Sequence, residues 1–359
     1  MNRYMKKIKG TVAMLSLVAA LASCSDWTDV ESVALQSPSL EDSNPELWNA
    51  YLESLRAYKA SEHKIVIAST NNTSGYPDNR SEHLVDMPDS LDYICLNNVS
   101  EVNEVTVSEI DEVRKRGTKV VGLLDFDAIE AAWEASQTET PPVTEDSEDI
   151  EEGGETLPNE ATRFATFCQS ETERLLAACD ALGLDGVEMN FTGYDLNGIV
   201  GEEAQKAETD RQNAFFAPIK AWQNASGREL IFKGMPQNVA DKAILSSCSY
   251  IIVDAHSAKN LNEMSYFVLM AATDGVPSDR FILGATTPYE TASGTVNGEL
   301  GDGSSMISAA AQWAVSPADA YAKAGISIDA AEADYFEGAP AKPYKHIREA
   351  INLLNPTVY

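Results

Sequence analysis

The sequence predicts an α/β fold, a single (β/α)₈ barrel in which parallel strands are enclosed by helices. Eight short runs rich in β-branched residues recur along the chain, and stretches of helical period separate most of them. The runs are almost continuously apolar, as in parallel strands buried on both faces. Eight such units in about 300 residues favour a closed barrel over an open doubly wound sheet. No G-x-G-x-x-G follows the first run, which argues against a dinucleotide-binding fold.

The spacing of apolar residues predicts the bounds of each strand and helix. The predicted strands are 64–70, 91–98, 118–127, 184–191, 229–237, 249–256, 280–287 and 325–331. The predicted helices are 45–61, 107–117, 163–183, 207–227, 239–247, 261–275, two consecutive segments within 306–325, and 343–355. Together these elements predict one barrel domain over residues 45–359.

The N-terminal residues have the build of an export signal. Residues 1–23 combine a basic start with the apolar run "TVAMLSLVAALAS", which is too short to span a bilayer as a mature helix. "LASC" ends at Cys24 and resembles the bacterial lipobox, which implies cleavage before Cys24 and its acylation. An ordinary signal peptide with a chance cysteine is the alternative. The polar residues 24–44 are predicted to form a tether between lipid and domain.

The charge excludes some partners. A net charge of −30 argues against nucleic acid and against anionic lipid surfaces, so membrane contact is predicted through the lipid anchor alone. The remaining cysteines and the four histidines are scattered without metal-ligand spacing, so neither a metal site nor another cofactor is predicted, and disulfide pairing is left open. They are Cys95, Cys168, Cys179, Cys248, His63, His83, His256 and His346.

One segment interrupts the barrel pattern. Residues 136–158 begin "SQTETPPVTEDSEDIEEGGE", which is rich in acidic residues and has no basic ones. Such a composition cannot bury apolar surface and predicts a solvated loop insertion. A calcium loop is disfavoured because the ordered Asp/Asn ladder with its central glycine is absent.

Polar residues follow the predicted strands, where a barrel carries its chemistry. Amides, carboxylates and hydroxyls in one mouth suit a polyhydroxylated ligand, and tyrosines there can stack on sugar faces. The candidate ligand-binding residues are Asn71, Asn97, Asp125, Asn190, Thr192, Tyr194, Asp195, Gln237, Asp254 and Tyr289.

The fourth predicted strand contains "DGVEMNFT", residues 185–192. This stretch resembles the D-G-x-D-x-D-x-E strand of glycoside hydrolase family 18, the chitinases and endo-β-N-acetylglucosaminidases, where it is also the fourth barrel strand. The resemblance implies a proton-donating glutamic acid at position 192. It also implies an aspartate at position 190, which orients the acetamido group of the substrate as nucleophile.

This chain departs from that pattern at both positions. Thr192 is far too weak an acid to protonate a glycosidic oxygen, and the neutral Asn190 cannot offset a developing positive charge. Glu188 matches the deeper aspartate, but it lies about 13 Å down the strand from position 192. We therefore predict no catalytic residue and treat Glu188, Asn190 and Thr192 as degenerate catalytic positions.

Two further positions depart from the resembled family. Val253 stands before Asp254, where the family often has a tyrosine at the end of the sixth strand. "GISIDAAEADYF" has no tryptophan after the eighth strand, where the family often has a sugar-stacking floor. The pocket for the acetamido group is therefore expected to be altered as well.

These features predict a catalytically impaired surface lipoprotein of the outer membrane that binds N-acetylglucosamine-containing glycans, of chitooligosaccharide or N-glycan type, for carbohydrate utilisation. Outer-membrane glycan hydrolases or a transporter are its expected partners. Two alternatives remain. One is an active endo-β-N-acetylglucosaminidase or chitinase whose acid is displaced to another carboxyl group, and the other is a protein-interaction module without a glycan ligand.

Overall fold

The computed structural model describes residues 40–139, 160–291, 293–317, 320–336 and 342–356. The chain divides into two compact units, Met1–Ala50 and Tyr51–Tyr359. In the first unit the described part is a short helix, Leu40–Ser43, inside the predicted tether, followed by the start of the next helix. The predicted signal peptide and Cys24 lie outside the described residues. Within the part described, no helix is both long and apolar enough to cross a membrane.

Eight parallel strands form a closed barrel, which confirms the predicted fold. Each strand pairs with its neighbours in the chain, and β1 pairs with both β2 and β8 to close the ring. The strands are β1 Ile65–Thr70, β2 Tyr93–Leu96, β3 Lys119–Asp125, β4 Gly186–Phe191, β5 Glu229–Gly234, β6 Tyr250–Val253, β7 Phe281–Thr286 and β8 Lys323–Asp329.

Helices follow the strands and cover the outside of the barrel. They are α1 Pro45–Ala60, α2 Glu104–Lys115, α3 Phe126–Glu139, α4 Glu160–Ala181, α5 Glu202–Ser226, α6 Leu261–Ala271, α7 Met306–Val315 and α8 Lys345–Leu354. The predicted helix 239–247 is a 3₁₀ helix, Lys242–Ser247. After β7 the chain forms a small antiparallel hairpin, in which Tyr289–Glu290 pairs with Val296–Asn297.

The second helical segment predicted within 306–325 is wrong, because its described residues before Lys323 are not helical and β8 begins at Lys323. The residues there favour a helix by composition, but pairing with β1 and β7 overrides that local preference. Gly325 permits the pairing, since a Cβ at this position would lie 1.9 Å from the backbone oxygen of Ile65. Only glycine allows the two strands to approach so closely.

The observed boundaries after β3 also differ from those predicted from the sequence. The strand ends at Asp125 because the Asp125 carboxylate accepts hydrogen bonds from the backbone N–H groups of Asp127 and Ala128, which starts α3. Helix α3 continues to Glu139, so residues 136–139 of the predicted acidic loop are helical. Residues 140–159 lie outside the described part of the chain.

Alternate strand residues fill the barrel interior. A layer of buried apolar side chains crosses its centre and includes Ile67, Cys95, Val121, Ile231, Ile252 and Ile282. One step nearer the carboxyl ends of the strands, the inward side chains become polar, with Ser69, Glu188, Lys233 and Ser327 at those positions. The apolar layer therefore closes the barrel below, and a polar chamber opens above it.

Candidate ligand-binding site

A cavity of about 460 Å³ lies at the carboxyl ends of the strands, within the usual range for a small-ligand site. Its walls come from the ends of all eight strands, or the residues just after them, and from the hairpin after β7. The lining residues are Asn71, Asn97, Leu123, Asp125, Asn190, Lys233, Asp254, His256, Thr286, Tyr289, Asn297, Gly298, Met306, Asp329 and Ala330. We call this space the mouth cavity.

The mouth cavity brings together six of the ten predicted ligand-binding residues. They are Asn71, Asn97, Asp125, Asn190, Asp254 and Tyr289. Two of the amides bond to each other, because Asn97 Nδ2 donates to Asn71 Oδ1 at 2.8 Å. Tyr289 is held from the other arm of the hairpin, where Asn297 Nδ2 donates to its hydroxyl oxygen at 2.9 Å. The order of the strand ends therefore pointed to six of the fifteen residues that line the cavity.

Four predicted residues lie outside the cavity lining: Thr192, Tyr194, Asp195 and Gln237. The chain turns at Gly193, which has φ +52°, directly after Thr192. Beyond that turn Tyr194 is 61% exposed, and Asp195 caps a 3₁₀ helix by accepting from the Asn197 N–H. Gln237 belongs to another 3₁₀ helix, Pro236–Asn238. A strand-end position thus does not ensure that a side chain faces the cavity once the loop turns away.

Three side chains of the cavity wall lie side by side on neighbouring strands. Asp125, Asn190 and Lys233 are register partners across β3, β4 and β5. Asn190 Nδ2 donates to Asp125 Oδ1 at 3.0 Å. The Asn190 side chain is therefore held as a donor toward β3, with its carbonyl oxygen left for a ligand.

Lys233 is a charged group that the sequence prediction missed. Its Nζ lies 2.7 Å and 2.8 Å from the two carboxylate oxygens of Asp329, and 3.6 Å from Glu188 Oε1. Burial disfavours the ammonium form, but the neighbouring Asp329 and Glu188 outweigh it and raise the pKa of Lys233 above its usual range. Lys233 is therefore a permanent cation at the base of the cavity.

Asp329 joins Lys233 to a second cation. His256 Nε2 lies 3.0 Å from Asp329 Oδ2, while His256 Nδ1 lies 2.6 Å from Asp254 Oδ1. Burial opposes the imidazolium, but hydrogen bonds to Asp254 and Asp329 raise the pKa of His256 to about 9. Burial likewise opposes ionisation of both carboxyls. Lys233 and His256 nevertheless lower the pKa of Asp329, and the His256 hydrogen bond lowers that of Asp254.

Glu188 lies beneath this network and does not line the cavity. It is completely buried, and neither carboxyl oxygen has a hydrogen-bond partner among the described residues. Burial raises the pKa of Glu188, and the charge of Lys233 offsets that only in part. The nearest cation, Lys233, bonds to Asp329. Because Glu188 is buried below the cavity lining, it does not contact a ligand in the mouth.

Several cavity residues were not among the predicted site residues: Lys233, His256, Thr286, Asn297 and Asp329. The sequence held a signal for Lys233, a lone lysine at an inward strand position directly after the apolar run "LIF". Asp329 likewise ends the run "GISID". The sequence does not show that the side chains of β5 and β8 reach each other across the barrel, so the pairing of these two residues could not be predicted.

A larger depression of about 1220 Å³ lies at the opposite, amino-terminal ends of the strands. Tyr58, Lys59, Tyr250 and Lys323 are among its lining residues. Barrel proteins carry their chemistry at the carboxyl ends, so we assign the candidate site to the mouth cavity. Among the described residues, no group of three or more His, Cys, Asp or Glu side chains could hold a metal ion.

The closed barrel and its polar mouth define a (β/α)₈ protein with a site of the kind that takes small hydrophilic ligands. The chain belongs to glycoside hydrolase family 18, BT1044-like, whose family model matches residues 28–353. The resemblance carried by residues 185–192 is thereby confirmed at the level of the family.

Solved structures show the same fold. The apo endo-β-N-acetylglucosaminidase from Cordyceps militaris has a TM-score of 0.59 at 18% identity, over 86% of this chain and 96% of that one. A double mutant of the Cordyceps militaris enzyme in complex with fucosyl-N-acetylglucosamine-Asn gives 0.58 at 19%, over 85% and 95%. A selenomethionine BT1044 with a glutamate-to-glutamine substitution gives 0.59 at 16%, over 88% and 95%. No protein of curated function matches the chain.

Proposed function

We propose that this protein binds N-acetylglucosamine-containing glycans in its mouth cavity and does not hydrolyse them at an enzymic rate. The observation that carries the proposal is the pair formed by Asn190 on β4 and Thr192 just after that strand. The amide and the hydroxyl stand where the family resemblance implies an orienting aspartate and a proton-donating glutamic acid. Ligand contacts and the acid are separate groups, so binding can persist without catalysis.

The carboxyl groups of the mouth cavity support an acceptor role. Asp329 accepts from Ser69, Lys233 and His256, and Asp254 accepts from the ring and backbone of His256. Both have lowered pKa values for the reasons given above, so each is ionised near neutral pH and has no proton to donate. Asp125 is likewise engaged as an acceptor by Asn190 and by the start of α3.

The choice of glycan is supported by the structural relatives. An endo-β-N-acetylglucosaminidase of the same fold binds fucosyl-N-acetylglucosamine-Asn in one of its structures. A mouth of amides, carboxylates and a tyrosine provides partners for such a ligand's hydroxyl groups and ring faces. Core N-glycan fragments and chitooligosaccharides are therefore the first ligands to test.

We further propose that the protein is anchored through acylated Cys24 at the outer membrane, facing the cell surface, and presents glycans to partner hydrolases or to a transporter. The support is the ordered basic, apolar and "LASC" segments of residues 1–24. Metabolic labelling with a fatty-acid analogue tests the anchor, with Cys24→Ser as the unlabelled control. Protease treatment of intact cells tests exposure at the surface.

Isothermal titration against a glycan panel tests binding, and product analysis after long incubation tests hydrolysis. We expect saturable binding of fucosyl-N-acetylglucosamine-Asn or chitotetraose, with no released sugar. Release of reducing sugar at an enzymic rate, with a pH profile showing one essential carboxyl, would identify an active glycosidase with a displaced acid. Absence of binding to every glycan would identify an interaction module instead.

A further inference from the structure

Four charged side chains form one continuous chain of ion pairs across the mouth cavity. It runs from Lys233 on β5 through Asp329 on β8 to His256, and then to Asp254, which follows β6. Ser69 on β1 adds a donor to Asp329 Oδ1 at 2.7 Å. We call these four side chains the ionic relay. Neither Asn190 nor Thr192 belongs to it.

The two carboxylates of the ionic relay differ in what they can offer a ligand. Both oxygens of Asp329 accept hydrogen bonds within the relay, so Asp329 is saturated. Asp254 Oδ1 accepts from the backbone N–H of His256 at 2.8 Å as well as from the ring. Within the described residues no donor bonds to Asp254 Oδ2, and the Asp254 side chain is 37% exposed in the cavity.

His256 is what fixes that geometry. Its two ring nitrogens hold one carboxylate each, and only the doubly protonated ring can donate to both. The charged groups around it are Asp254 on its own loop, Asp329 from β8 and, behind Asp329, Lys233 from β5. Loss of the ring proton would leave two carboxylates facing each other with one donor between them.

We propose that His256 is a positioning residue of the glycan site, which acts as an imidazolium to hold Asp254 so that its outer oxygen accepts a hydroxyl of the bound sugar. This inference rests on the proposed glycan binding and deepens it. It places an essential determinant of affinity on the β6 and β8 side of the mouth, opposite the degenerate β4 motif. It also makes binding depend on the protonation of one group.

The first test needs no substitution. Titration of fucosyl-N-acetylglucosamine-Asn and of chitotetraose into the wild-type protein should give a steady affinity from about pH 6 to about pH 8. Affinity should then fall as the pH rises above the His256 pKa of about 9, and level off near the affinity that an uncharged side chain at position 256 supports. The imidazole ¹⁵N signals of His256, followed by NMR, should titrate over the same interval. Affinity that stays constant while His256 loses its proton would overturn the inference.

Variants assign the effect to His256. His256→Gln should weaken binding about tenfold or more at neutral pH and make the remaining affinity independent of pH up to about pH 9. His256→Lys, which keeps a cation, should recover part of the loss. His346→Gln is the matched control, because His346 also pairs with an aspartate, Asp334, but does not line the mouth cavity.

The outcomes separate the two proposals. Wild-type binding that survives unchanged in a folded His256→Gln protein refutes the positioning role and leaves the proposed function intact. A wild-type protein that binds neither glycan refutes the proposed function, and the positioning role with it. Circular dichroism of each variant establishes that a loss of affinity is not a loss of fold.

Discussion

Lys233 Nζ lies 2.7 Å and 2.8 Å from the two carboxylate oxygens of Asp329, which links β5 to β8 across the mouth of the barrel. The Lys233 side chain is only 12% exposed, and Glu188 beneath it is fully buried. Removal of either partner leaves a poorly solvated charge behind. The contact is therefore important both to the site and to the stability of the fold.

The first prediction concerns that ion pair. Lys233→Met should lower the free energy of unfolding by about 3–5 kcal/mol, because Asp329 loses its main counter-ion in a buried setting. Urea denaturation measures the change. Lys206→Met is the control, since Lys206 pairs with Asp210 at the exposed surface of α5 and its loss should cost less than about 1 kcal/mol.

A double variant sharpens that prediction. Combining Lys233→Met with Asp329→Leu removes both charges, and its cost should be smaller than the sum of the two single changes. A cost of the double variant equal to the sum of the two single costs would show that the two side chains do not interact, contrary to the geometry.

A second prediction concerns Asn190 and Thr192, where the family resemblance implies an aspartate and a glutamic acid. Asn190→Asp together with Thr192→Glu should restore measurable hydrolysis if the cavity still fits the substrate of the resembled family, because these changes supply the orienting aspartate and the acid. Release of a fluorescent aglycone from a chitobioside measures it. Asn190→Asp with Thr192→Gln is the matched control, which offers no proton.

Two structural features would limit the hydrolysis restored by these changes. An aspartate at position 190 would face Asp125, whose Oδ1 now lies 3.0 Å from Asn190 Nδ2, and the like charges would raise the pKa of the pair. Residue 192 also lies outside the cavity lining. No hydrolysis by a folded double variant that still binds chitooligosaccharide would show that the pocket itself has diverged.

A third prediction concerns Gly325 on β8. Gly325→Ala should destabilise the barrel severely, since the added Cβ would lie 1.9 Å from the Ile65 backbone oxygen and force β1 and β8 apart. Thermal unfolding or the yield of soluble protein measures this. Gly198→Ala is the control, because nothing lies within 4 Å of a Cβ there. Equal stability of the two variants would contradict the close approach of β1 and β8.

A fourth prediction concerns the described cysteines, all four of which are free and buried: Cys95, Cys168, Cys179 and Cys248. Burial raises the pKa of each thiol, to about 12 for Cys168, Cys179 and Cys248 and well above its usual value for Cys95. The native protein without Cys24 should therefore react slowly with Ellman's reagent and release four equivalents once denatured. Rapid reaction in the native state would show that a thiol is accessible.

A fifth prediction follows from His256 and concerns stability. Its folded-state pKa of about 9 lies above the ordinary value of 6.5. The stabilisation by the imidazolium should therefore be complete below about pH 6.5 and be lost as the pH rises through about 9. The stability difference between wild type and His256→Gln, measured by urea denaturation across that range, should shrink with rising pH. A difference that does not change with pH would contradict this linkage.

The strands were readable from sequence because each is buried on both faces, so its apolar run is nearly continuous, as in "KIVIAST" and "RFILGAT". The end of the helical segment predicted before β8 was misread because "KAG" has no strand signature of its own. Pairing with β1 and β7, which sequence does not display, makes those residues a strand.

Only part of the candidate site could be predicted from the sequence, for a related reason. Asp125 and Asn190 follow consecutive strands, so their proximity could be inferred from the order of the barrel. Lys233 and Asp329 lie 96 residues apart on β5 and β8, and their contact depends on side chains crossing the barrel interior. Thr192 and Tyr194 do not line the cavity, and Gly193 between them has the positive φ of a turn just after β4.

The hairpin after β7 closes one wall of the cavity with a self-contained unit. Tyr289 and Asn297 bond to each other, and the exposed tip carries small residues such as Ser293 and Gly294. Exchange of this hairpin would reshape one wall of the mouth cavity without altering any barrel strand. The shape of that wall can thus change independently of the barrel scaffold.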